Sequence, residues 1–168
     1  MAASPATLSA DRPGGARAIL WGGLIAGALD ITYAILFSYF RSGVAPAVIL
    51  QSVASGLLGK ATYDGGFATA ALGLFLHFLI AYIWAAIYYL ASRKLDILAR
   101  VPYVCGVVYG VLIYVVMNYV VIPLSAVPPR TGPRPALVVV TGLLIHMLGI
   151  GLPIALATRR YSGVSRLR

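Results

Sequence analysis

Glutamate is missing from this 168-residue chain, and the acidic residues are four aspartates, Asp11, Asp30, Asp64 and Asp96. Charge of either sign is scarce. Only 10% of residues are charged, against the roughly 25% of a soluble domain. So few charges cannot cover a water-facing surface, which excludes an ordinary soluble fold. Cysteine is nearly absent too. Cys105 stands alone inside an apolar run, so no internal disulfide and no CxxC metal pair exist, and it is a small packing residue. Hydrolytic signatures are also lacking. There is no G-x-S-x-G, Ser52 and Ser55 have no His or acidic neighbour, and Gly65-Gly66 is a turn rather than a phosphate-cradling loop. The expectation is a protein that is not an enzyme.

What is plentiful is apolar. Hydrophobic residues make up 61% of the chain, above the roughly 45–50% of soluble proteins. They gather into four continuous runs, 18–40, 69–90, 101–123 and 136–158. Each has the ~20 residues needed to cross a ~30 Å hydrocarbon core. Backbone groups in lipid must be satisfied within the segment, so the runs are helices, and their continuity excludes an alternating barrel pattern. The first run is too long for a signal-peptide core and no A-x-A-like site follows it, so it reads as an uncleaved span.

The predicted fold is an all-α integral membrane bundle of four transmembrane helices over 18–160, with one short outer-leaflet interfacial helix. That short helix covers 46–58. Pro46 suits its first turn, Gln51, Ser52 and Ser55 share one face, and Ile49, Leu50, Val53 and Leu57 face the other way. It is too short to span. Residues 63–66 read as a turn, and the proline-rich 127–135 as an extended, stiff connection. Residues 1–17 form a disordered cytoplasmic N-terminus, and 161–168 a basic cytoplasmic tail.

The net charge of +9 would point to nucleic acid in a soluble chain. Here the basic residues lie between and outside the apolar runs, so nucleic acid is not expected as a partner and the charges encode orientation. Arg12, Arg17, Arg93, Lys94, Arg100, Arg159, Arg160, Arg166 and Arg168 place nine on one side. Arg41, Lys60, Arg130 and Arg134 place four on the other. The richer side is cytoplasmic, which puts both termini inside. Tyr39, Tyr88, Tyr89, Tyr103 and Tyr119 fall near span ends, as an interfacial aromatic belt predicts.

Polar residues inside the runs are expensive, at ~2.5–3.5 kcal/mol for a central Asp on insertion scales, so each marks a candidate site. Asp30 lies mid-span in the first run and His146 mid-span in the fourth. His77 sits about 4 Å, and Asn118 about 9 Å, outward of their spans' centres at 1.5 Å rise per residue. Helical spacing puts Gly23, Gly27, Asp30 and Ala34 on one face, and Gly73, His77, Ile80 and Trp84 on another. It likewise aligns Gly106, Gly110, Tyr114 and Asn118, and Gly142, His146, Gly149 and Pro153. Gly23, Gly27, Gly73, Gly106, Gly110 and Gly142 are predicted helix-packing positions, two pairs being GxxxG. The polar groups should therefore point into the bundle.

Several readings of that seam compete. Asp30 paired with a histidine serves as structural glue, since membrane hydrogen bonds average only ~0.6 kcal/mol. As a ligand, ion or proton site, Asp30 would titrate together with His77 or His146, with Asn118 beside them and an outward opening at Gln51 and Asp64. His77 and His146, at matching depth, are a candidate bis-His haem or metal pair, with Gly73 and Gly142 leaving room for a porphyrin. No C-x-x-C-H motif or paired ligand spacing within one helix supports either, so the expected cofactor is none. Pro153, after Gly149 and Gly151, is a candidate kink.

The run from Gly23 to Ile31 resembles a small family of bacterial four-span inner-membrane proteins of unknown function. So do Leu50 to Gly56, Asp64 to Gly66, His77-Phe78, Met117 to Tyr119 and His146-Met147. The resemblance covers 18–160 and implies a four-span protein of the bacterial inner membrane, without an activity. From the residues themselves the leading expectation is a non-enzymatic accessory or interaction protein, self-associating or part of a larger membrane complex. The alternatives are a small transporter or ligand-binding protein, and a haem electron carrier.

Overall fold

The computed structural model describes residues 14–129 and 131–162, and these form an all-α bundle with no strand among them. Four helices are long and apolar enough to cross a membrane: α1 (Gly14–Ser42), α3 (Gly66–Ser92), α5 (Pro102–Leu124) and α6 (Ala136–Tyr161). Between 22% and 28% of each span's most apolar window is buried inside the bundle, so the remaining faces need lipid to cover them. The chain is a multi-pass membrane protein. Residues 14–17, expected to belong to the disordered arm, are the first turn of α1; the rest of that expectation, and most of the basic tail, lies outside the described residues.

The connections follow the local chemistry. Gly43 (φ +64°) and Gly59 (φ +62°) end α1 and the short helix α2 (Pro46–Leu58) in a conformation that only glycine adopts without strain. Pro46 and Pro102 occupy first helical turns, where a missing N–H costs little. A tight 3-10 turn over Gly59–Asp64 leads into α3. The second connection holds the four-residue helix α4 (Ile97–Arg100). Residues 127–129 and 131–135 have no regular structure.

Glycines set the order of the spans around the bundle. Gly22 of α1 meets Ala157 and Ile154 of α6, while Gly23 and Gly27 face the rings of Tyr82 and Phe78 on α3. Gly106 and Gly110 of α5 abut α6: a Cβ on Gly106 would lie 2.9 Å from the Gly151 carbonyl oxygen, and one on Gly110 would collide with the His146 carbonyl. Spans α3 and α5 meet through rings, Tyr88 against Tyr109 with centroids 4.8 Å apart. The cyclic order is α1, α3, α5, α6. Both GxxxG faces are thus occupied within the chain. The core at the α4 end of the bundle comprises Ala85, Tyr88, Tyr109, Ile154 and Ala155.

Two of the five expected belt tyrosines turn inward instead. Tyr88 is 1% exposed and donates to the Leu98 carbonyl oxygen at 2.9 Å, and Tyr89 is buried over Gly15. A phenol near a span end is satisfied as well by a carbonyl of the connecting helix α4 as by interfacial water. Tyr39, Tyr103 and Tyr119 remain exposed.

Candidate functional site

The polar residues of three spans converge. Asp30 (α1), His77 (α3) and His146 (α6) line one cavity of about 200 Å3 inside the bundle. Its remaining walls are apolar or aromatic and include Trp84 of α3, Met117 of α5 and Val53 of α2. On α3 the expected face is the one that lines it, His77, Ile80 and Trp84 standing at helical spacing.

Each imidazole is oriented by a backbone carbonyl. His77 Nε2 lies 2.9 Å from the Gly27 oxygen, across the α1–α3 contact. His146 Nδ1 lies 2.8 Å from the Gly142 oxygen, one turn back on its own helix. A carbonyl only accepts, so these ring nitrogens carry the protons, and in the neutral rings Nδ1 of His77 and Nε2 of His146 are left as lone-pair acceptors. The Tyr114 ring packs edge-on against His146 at 5.3 Å between centroids. The Asp30 carboxylate is half-buried and has no hydrogen-bond or ion-pair partner among the described residues. Its pairing with a histidine as structural glue is therefore not what these side chains do. Among the described residues no three His, Cys, Asp or Glu side chains gather closely enough to hold a metal ion.

Three expected members stand elsewhere. Asn118 does not line the cavity. The Gly106–Gly110–Tyr114 track is drawn onto α6 by close backbone contact, and Asn118 follows it, so Ile113 and Met117 present α5 to the cavity instead. Asn118 donates to the Tyr114 carbonyl at 2.8 Å and accepts a hydrogen bond from Arg134 in the connection between α5 and α6. Gln51 is 5% exposed and serves as a clamp: its amide donates to the Gly66 carbonyl at 3.0 Å and to Thr69 Oγ1 at 3.2 Å. Asp64 is exposed in the 3-10 turn, away from the cavity lining.

Two features escaped the sequence reading. Thr62 is fully buried and accepts from Thr69 Oγ1 at 2.6 Å, which with Gln51 straps α2 onto the start of α3. There Gly73 admits the Leu50 backbone so closely that any Cβ would clash, and Gly73 thus packs α2, not another span. The second is a pair of π-helical turns, Met117–Val121 in α5 and His146–Gly151 in α6, each opening at or beside a cavity-lining residue. The N–H of Ile122 reaches the Met117 carbonyl, and that of Leu152 the Met147 carbonyl. Each is followed by a proline, Pro123 and Pro153, which has no N–H and whose ring crowds the carbonyl four residues back; widening the turn relieves that clash. The prolines were the available signal. In comparison with known proteins, no family model, no curated protein and no solved structure matches this chain.

Proposed function

We propose that this multi-pass membrane protein is a non-enzymatic binder of a small polar ligand, held between its spans by Asp30, His77 and His146. The observation that carries the reading is the convergence of these side chains, from three different spans, on one cavity of about 200 Å3. An Asp in the hydrocarbon region is costly, and an unpartnered one at a cavity wall is explained by an occupant that compensates it. The accessory or self-associating role drew on small size, the lack of catalytic residues and the GxxxG faces, and those faces are filled by α3 and α6 of the same chain. Haem is disfavoured by the engagement of His77 Nε2 with Gly27 and by Leu50 filling the room beside Gly73. The nine-to-four distribution of Lys and Arg and the resemblance of 18–160 to bacterial four-span proteins support an inner-membrane location with both termini cytoplasmic. In that orientation the cavity lies from mid-membrane toward the outer face, with α2 above it.

The test is binding to protein in lipid nanodiscs. A panel of small soluble polar molecules, followed by ligand-observed NMR, should contain binders whose signal is lost in Met117→Trp, which fills the cavity. Asp30→Asn should weaken the best of them about tenfold while the protein remains folded. Binding indifferent to both substitutions, or no binding at all, overturns the reading.

A further inference from the structure

The cavity's ionisable chemistry is weighted toward acceptors. Its ionisable groups are a carboxylate and two imidazoles whose N–H groups are already committed to the Gly27 and Gly142 carbonyls. What these groups leave uncommitted are acceptors: two carboxylate oxygens and, in the neutral rings, Nδ1 of His77 and Nε2 of His146. Among the described residues no Lys or Arg lines the cavity. Apart from the Trp84 indole N–H, an occupant bringing negative charge would meet only the Asp30 carboxylate and ring acceptors among the described residues, whereas one bringing positive charge would compensate Asp30.

The dimensions separate an organic cation from a bare ion. The titratable side chains come from three different spans, and among the described residues no three metal-ligating groups gather around a point. A cavity of about 150 Å3 is enough for a benzene ring, so about 200 Å3 admits a ring or short branched chain carrying one ammonium group. Trp84, Met117, Ile80 and Ile150 offer the apolar body a matching wall, and an aromatic face among them suits a cation. One carboxylate sets the charge at a single positive unit.

Resting on the proposed binding role of this cavity, we infer that its ligand is a small organic monocation, an amine with an apolar body, whose ammonium group is held by Asp30. The experiment uses three isosteric probes on the full chain in nanodiscs: benzylamine, benzyl alcohol and benzoate, with Zn2+ alone as a fourth. Tryptophan fluorescence titration and the melting temperature are the readouts. Benzylamine should bind about tenfold or more tightly than the alcohol, raise the melting temperature, and leave benzoate and Zn2+ without effect. Asp30→Asn should erase the preference for amine over alcohol while leaving alcohol binding in place. Equal or tighter binding of benzyl alcohol or benzoate, lost in Met117→Trp, overturns the cationic class but leaves the cavity a binding site. Zn2+ binding that depends on Asp30 overturns it in favour of a metal. Failure of all four probes to bind the folded protein overturns the inference.

Discussion

At the scale of single residues, what separates these side chains is whether backbone or a movable ring stands in their way. Gly110 faces the His146 backbone, which cannot yield without shifting α6. Gly142 faces only the Tyr114 ring, with 3.4 Å left for a Cβ. Gly110→Val should therefore cost about 1–3 kcal/mol of stability, as overpacking does, while Gly142→Ala should stay within about 0.5 kcal/mol. Unfolding in mixed micelles measures both, and equal costs would contradict the close approach of α5 to α6. Asn118 has a different role from the one its position on the glycine track suggested. It joins α5 to Arg134, outside the cavity, so Asn118→Leu should change stability by less than about 1 kcal/mol and leave ligand binding untouched. A binding defect in that variant would return Asn118 to the site.

At the scale of elements, the two proline-linked π turns set where α5 and α6 direct their side chains. In α6 the extra residue in the turn His146–Gly151 lets the glycine-packed half after it stay docked on Gly106 while His146 faces the cavity and Tyr114. Pro153→Ala removes the ring clash and restores an N–H, so the turn can close to a regular helix. At about 100° per residue, that swings His146 relative to the docked half. The Tyr114–His146 contact should then vanish from NOE spectra, while the melting temperature does not fall. Persistence of that contact would show that tertiary packing, and not the proline, holds the widened turn. The short helix α2 obeys a simpler logic: the buried Gln51 and Thr62 with the half-buried Thr69 strap it to α3, so its amphipathic face meets protein on one side.

At the scale of the whole molecule, orientation is a sum over weak charge preferences, and the proposed sign, with both termini cytoplasmic, rests on the ratio of nine to four. In a Cys105→Ala background, Ser42→Cys at the end of α1 should react with a membrane-impermeant maleimide in intact bacterial cells expressing the protein. Lys94→Cys, between α3 and α5, should react only after lysis. The opposite pattern would invert the molecule and place the cavity toward the cytoplasm. Both positions are exposed, so accessibility within the protein does not confound the result.

The existence, number and rough limits of the spans were legible in the chain because hydrophobic length is a local property, summed over ~20 residues and indifferent to neighbours. The short helix at Pro46–Leu58 and the His77–Ile80–Trp84 face were legible for the same reason, each being a matter of helical period. Which helix each glycine meets is not local. Gly23 and Gly106 read alike, yet one admits a tyrosine ring and the other a helix backbone, and that choice set the order of the bundle. The order in turn brought Asp30, His77 and His146 together and carried Asn118 away with its helix, because a side chain follows the face on which its backbone docks.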